Sequence, residues 1–312
     1  MQTPAPAPSS DDPSKDPIPL PVRQTSWWVW ITPALSIAIL AVVIWQFRSF
    51  RLDDLLQTIP ANPLFWVAFF GYYFTGLAFD FIIFRWLWHI PGEGLIALAR
   101  KNVTNELIVD YLGEAYFYSW ARKKIKMEGS PFGAVKDVAI LSAVVSNIFT
   151  LAMMALVYPY AKSLNLGITS SALAASVGVI MVVSLLVFVF SKRIFSLTRT
   201  QLWAISGLHF ARLLVGNVLL AVVWSLALPD VALGWWLVLA TVRMLLSRLP
   251  LISNKDIIFA AVAVFAVGQD SEIHILIALI TTLILLTHLV IGAVLAIGDL
   301  ATIRVGRKEK RA

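Results

Sequence analysis

The chain has 312 residues, of which 59% are hydrophobic and 14% charged, with a mean hydropathy of +0.81. A soluble domain carries about 45–50% apolar and about 25% charged residues, so this excess excludes a single aqueous core and makes lipid the solvent for most of the chain. The net charge of +7 reads as attraction to an anionic membrane surface rather than to nucleic acid, and the lack of cysteine excludes disulfides, thiolate catalysis and cysteine-held metal centres.

Backbone in lipid leaves helices and closed barrels as the only options. The apolar stretches run on without dyad alternation, which points to an all-α polytopic transmembrane bundle. Residues 1–26 stand apart, since seven of the fifteen prolines fall between Pro4 and Pro21 among Ser, Asp and Lys. That composition cannot bury enough apolar surface to fold and predicts a disordered cytoplasmic tail. It lacks the basic lead into an apolar core that marks a cleavable signal peptide. The transmembrane domain is expected over 27–300, followed by a basic cytoplasmic tail over 301–312.

Within that domain the first span runs from Trp27 to Phe47, opened by Trp27, Trp28 and Trp30. The second runs from Pro63 to Trp88 and closes on Arg85-Trp86-Leu87-Trp88. A polar-to-amphipathic connection over 89–133 follows. Further spans are expected over Ala134–Tyr158, Ser170–Phe190, Leu202–Leu228 and Ile273–Ile297. Between the last two lie Val231–Leu249 and Ile257–Val267, the second too short to cross at about 1.5 Å per residue. This pair reads as broken or re-entrant around Pro250 and Asn254. The total is about eight membrane segments. With both termini in the cytoplasm, 21 of the 25 Lys and Arg residues fall on the inner side, Arg243 among them, and three on the outer side. That asymmetry predicts the orientation by the positive-inside rule and, with the composition, a multi-pass membrane protein.

Ionisable residues inside the spans carry the functional expectation. Arg212 lies near the bilayer centre, where an arginine costs about 2.5–3.5 kcal/mol to insert and must face the interior. His209 is one turn before it on the same face, His288 lies at similar depth in the last span, and Asp80 is about a turn and a half inside the second. In one reading these residues form a polar pocket in which Arg212 receives a phosphate or carboxylate headgroup. In the other, Arg212 is a structural partner of Asp80 or of a carboxylate in 106–114, and the histidines join helices. In the 89–133 connection Glu106, Asp110 and Glu114 recur every four residues, which predicts one acidic face of one helix. That helix either lies in the interface with its carboxylates solvated or lines a polar cleft entering the membrane. The candidate substrate-binding set is thus Arg212, Glu114, Asp80, His209, His288 and Asp110.

Arg85-Trp86, then Asn105, then Gly113-Glu114 leading to Arg122, Lys123, Lys124 and Lys126 form a layout that resembles the lysylphosphatidylglycerol synthase transmembrane-region family of bacterial polytopic proteins. The resemblance covers about 27–300. Where that family tends to show a Pro-Gly-Gly-x-Gly segment, this chain has Leu249 to Asp256, keeping Leu-Pro and losing the glycines. The resemblance implies translocation of aminoacylated or other polar lipids between leaflets. No soluble synthase domain is expected beyond residue 300, so aminoacyl transfer is not expected of this chain. The competing classes are a lipid-modifying membrane enzyme and a non-catalytic subunit or assembly factor of a membrane complex. The sequence has no His-Glu-x-x-His, Gly-x-Ser-x-Gly, P-loop or Asp-rich metal cluster, which weighs against an enzyme. No cofactor is expected. The expected partners are membrane lipids, with a second membrane protein or another copy of the chain as further candidates.

Overall fold

The computed structural model describes residues 60–109, 111–124, 132–163, 195–229, 233–246 and 271–309, with a few isolated positions. Apart from those isolated positions, the spans expected over Trp27–Phe47, Ser170–Phe190 and Ile257–Val267 and the tail over 1–26 lie outside the described residues, as do 310–312 of the tail expected over 301–312, whose residues 301–309 are helical. Those described are helical, in seven elements. These are α1 (Pro63–Trp88), α2 (Glu93–Leu107), α3 (Leu112–Lys124), α4 (Phe132–Ser163), α5 (Arg199–Ala227), α6 (Leu233–Leu246) and α7 (Ser271–Glu309). Among the described residues four stretches are long and apolar enough to cross a membrane: Pro63–Trp88, Phe132–Leu156, Arg199–Ala227 and Leu279–Asp299.

The ends of α1 are set by local chemistry. Asn62 accepts a hydrogen bond from the Leu64 N–H at 3.0 Å, and Pro63 follows at the position where a missing N–H costs nothing. His89 closes the helix in the left-handed region (φ 53°), its N–H donating to the Arg85 carbonyl at 2.8 Å, and Pro91 prevents continuation. The start of α5 is fixed twice. Thr198 and Gln201 form a reciprocal capping box. The buried Asp137 of α4 accepts three hydrogen bonds at 2.7–2.9 Å, from the Ser196 N–H, the Ser196 hydroxyl and the Leu197 N–H.

α1 and α5 pack antiparallel along most of their lengths. Phe69 shares an apolar cluster with Leu220 and Trp224, Asp80 meets Arg212, and Ile83 and Phe84 share a second cluster with Ile205. α4 runs parallel to α5 from the same end, with Val138 beside His209 and Ser142 beside Arg212. One apolar cluster, around Trp224, Trp236 and Ile280, fills one half of the bundle, and the other, around Phe84, Phe117 and Val138, fills the opposite half. Trp203, Phe210, Leu214, Val218 and Val222 line an exposed stripe on α5 at near-helical spacing, an apolar face suited to hydrocarbon.

The 89–133 connection differs from the expected single helix. It breaks after Leu107, with Tyr111 in the left-handed region (φ 69°), and folds into a hairpin of α2 against α3. Glu106 and Glu114 therefore sit on different helices and share no face, while Asp110 lies outside the described residues. Glu93 and Lys124 pair at 2.8 Å across the open, exposed end of the hairpin. Its closed end dips beside the middle of the bundle, where Leu107 and Ile108 pack with Leu285 and Leu289 of α7. Irregular backbone at such depth needs protein around it, which α1 and α7 provide. A Cβ on Gly113 would lie 2.1 Å from the Lys101 carbonyl oxygen, so only glycine permits this approach of the two helices. The buried Arg100 holds the hairpin to α7 through Asp299 and through the Leu295 carbonyl at 3.1 Å.

Arg243 also departs from the sequence expectation. Assigned to a cytoplasmic stretch by charge counting, it lies on α6 and donates to the Tyr72 hydroxyl in the middle of α1. It belongs to the bundle interior, so it does not contribute to the inner-side count.

Candidate functional site

The two apolar clusters leave a polar layer between them, and the mid-bundle charges meet there. Asp80, only 5% exposed, is the centre. Its Oδ2 accepts from the Lys101 ammonium at 2.6 Å, and its Oδ1 from the Arg212 guanidinium at 3.2 Å. The second terminal nitrogen of Arg212 donates to the Ser142 hydroxyl at 2.8 Å. Lys101 also faces Glu114 Oε1 at 3.7 Å. The Asn105 amide closes the network. Its Nδ2 donates to Glu114 Oε2 at 2.9 Å and its Oδ1 accepts from the Gly113 N–H at 2.7 Å. Two cations and two carboxylates from α1, α2, α3 and α5 thus balance in charge around one point. Burial works against the Lys101 ammonium, but Asp80 and Glu114 outweigh it and leave its pKa above the ordinary lysine value. Lys101 is therefore charged throughout the neutral range.

These groups line a cavity of about 220 Å³, whose remaining wall includes Phe84, Phe117, Val135, Val138, Tyr111 and His209. His209 is fully buried, with Nε2 at 3.2 Å from the Val138 carbonyl oxygen. A larger cavity of about 400 Å³ lies on the other side of Arg212, bounded by Tyr72, Tyr73, Glu106, Asn217, Arg243 and His288 among others. There the His288 ring meets Tyr73 edge-on at 4.8 Å, and its Nδ1 is 2.9 Å from the Ile284 carbonyl oxygen.

Of the residues singled out by sequence, Arg212, Asp80, Glu114 and His209 come together at the first cavity. His288 lines the second, with Arg212 as the shared wall. Asp110 lies outside the described residues. The pocket and the ion pair, weighed as alternatives for Arg212, coexist, because the pair forms part of the pocket wall. Lys101 and Ser142 were missed by sequence reasoning, and Asn105 was singled out as part of the family layout but not as a site residue. The i, i+4 spacing of Lys101 and Asn105, opposite a Gly-Glu dipeptide, is the signal that could have assigned both to the site.

No family model matches this chain, and neither does any curated protein or solved structure.

Proposed function

We propose that this protein binds the polar headgroup of a phospholipid within the bilayer and carries it between leaflets, with no covalent chemistry of its own. One observation carries this reading: a charge-balanced chamber with room beside it, set between two apolar clusters of a bundle built from membrane-length helices. Burying four ionised groups solely to hold helices together is a weak stabilising device, since desolvation offsets most of the attraction. A ligand that brings both a phosphate and an ammonium can exchange partners with these groups without leaving a net charge in the membrane. Phosphate would replace Asp80 on Arg212 and Lys101, and ammonium would take the released carboxylates. The resemblance to the lysylphosphatidylglycerol synthase transmembrane-region family points the same way. In this reading the end of the bundle bearing Arg85, Arg122, Lys123, Lys124, Lys136 and Arg199 faces the cytoplasm of a bacterial inner membrane. The α2–α3 hairpin then offers the chamber to lipids of the inner leaflet.

The competing reading is a non-catalytic subunit of a membrane complex, and the full pairing of Asp80 by Lys101 and Arg212 favours it. Leaflet-resolved movement of headgroup-labelled phospholipid in proteoliposomes separates the two. Translocation predicts movement by the wild-type chain and its loss in Arg212→Lys, which keeps the charge but cannot hold Asp80 and Ser142 in a fork. The absence of movement of any anionic or zwitterionic lipid by the wild-type chain would refute translocation and leave the scaffold reading.

A further inference from the structure

One residue of the chamber wall, His209, has a buried ring nitrogen that the charge network does not use. His209 lines the first cavity from α5 and is fully buried. Its Nε2 lies 3.2 Å from the Val138 carbonyl oxygen. A carbonyl can only accept, so Nε2 carries the proton. Among the described residues the Nδ1 atom has no hydrogen-bond partner. A second proton there would be a buried donor with nothing to receive it, so the ring is the neutral tautomer and Nδ1 presents a lone pair. An unmet acceptor of this kind is rare in a folded protein, because leaving it unpaired costs more than pairing it gains. The neighbouring Arg212 and Lys101 do not fill the role: their hydrogen bonds go to Asp80 and Ser142, and neither donates to Nδ1. At about 220 Å³ the cavity also has room for a group of several non-hydrogen atoms rather than one water alone.

We infer that His209 Nδ1 is a specificity-determining acceptor that selects a headgroup bearing an N–H or O–H donor, a primary ammonium above all, and disfavours a fully methylated ammonium. The inference rests on the headgroup-binding reading above and names the feature by which that site discriminates. A trimethylated nitrogen carries the same charge but no donor, so it leaves Nδ1 unmet. A primary ammonium satisfies Nδ1 and a carboxylate together. Asp80 and Glu114 set the charge requirement, and His209 sets the donor requirement.

The test uses the full-length protein in detergent, with bound lipid counted by native mass spectrometry during titration. The probes are phosphatidylethanolamine and phosphatidylcholine of identical acyl chains. The wild-type chain is expected to prefer the ethanolamine lipid by about tenfold, the usual scale for one buried unmet acceptor. His209→Gln keeps an amide N–H near the position of Nε2 for Val138 but loses the acceptor at the δ position, and it is expected to bind both lipids alike. His209→Asn retains an acceptor at the δ position and is expected to keep much of the preference. Equal binding of the two lipids by the wild-type chain, still weakened by Arg212→Lys, would overturn the role of His209 while leaving the headgroup site intact. Retention of neither lipid would overturn both. Tight binding of water-soluble glycerophosphoethanolamine over glycerophosphocholine, without retention of either lipid, would uphold the donor requirement and assign the site to a soluble ligand.

Discussion

Gly113→Ala tests the hairpin and the chamber together. A Cβ at this position would lie 2.1 Å from the Lys101 carbonyl oxygen, 2.6 Å from Asn105 Oδ1 and 2.8 Å from the Lys101 carbonyl carbon. Ordinary contact begins above 3.4 Å, so α2 and α3 must separate by roughly 1 Å for the methyl group to fit, and backbone cannot swing aside as a flexible side chain would. The Gly113-to-Asn105 hydrogen bond at 2.7 Å is then stretched, and with it the Asn105 contact that orients Glu114. Overpacking of this kind costs about 1–3 kcal/mol, and the hydrogen bond adds about 1 kcal/mol, giving a destabilisation of about 2–4 kcal/mol. The assay is equilibrium unfolding in a denaturant titration of detergent-solubilised protein, with Gly207→Ala as the control. Gly207 is an exposed helical glycine with nothing within 4 Å of its would-be Cβ, so alanine there is expected to be neutral or stabilising by up to about 1 kcal/mol. Equal stability of Gly113→Ala and the wild-type chain would refute the close approach of α2 and α3.

Other substitutions test the remaining anchors. Asp80→Ala leaves two cations without their shared carboxylate and is expected to cost about 3–5 kcal/mol, whereas the double variant Asp80→Ala/Lys101→Met recovers part of it; strict additivity in unfolding free energies would refute the pairing. Asp137→Ala removes the acceptor of three hydrogen bonds and is expected to lower stability by about 2–4 kcal/mol, with proteolysis opening first near Ser196; an unchanged cleavage pattern would count against the anchor. Thr198→Ala at the capping box is expected to cost about 1 kcal/mol by the same denaturant measurement, and no change would show that Asp137 alone fixes the start of α5.

Much of the frame was legible in the sequence because it depends on short-range signals. The bounds of α1 follow from Asn62-Pro63 at one end and from Arg85 to Pro91 at the other. Arg212 and Asp80 were legible as a meeting point because each is too costly to leave facing lipid. The hairpin was not legible. Carboxylates at 106, 110 and 114 have the spacing of one helix face, and 108–111 contains neither glycine nor proline to announce a break. The break is imposed by tertiary packing, with Gly113 against Lys101 and Leu107 against Leu289. Lys101 escaped notice because a lysine in a polar connection is ordinarily solvated, and only the fold brings it to Asp80. Arg243 was misassigned for a related reason, since charge counting places a residue by its neighbours in sequence and not by Tyr72 across the bundle.

The three partners of the central network leave the ribosome at very different times. Asp80 and Lys101 are 21 residues apart and can neutralise one another as soon as α1 and α2 are released, whereas Arg212 is separated from Asp80 by 132 residues. At a synthesis rate of about 5–20 residues per second, the guanidinium arrives on the order of ten seconds after the lysine. For that interval Asp80 and Lys101 neutralise one another, while Glu114, released soon after Lys101, leaves the group with one negative charge in excess until the arginine arrives. The lysine thus acts as a placeholder during biogenesis, and α5 enters a bundle that already holds a carboxylate oxygen ready for its arginine.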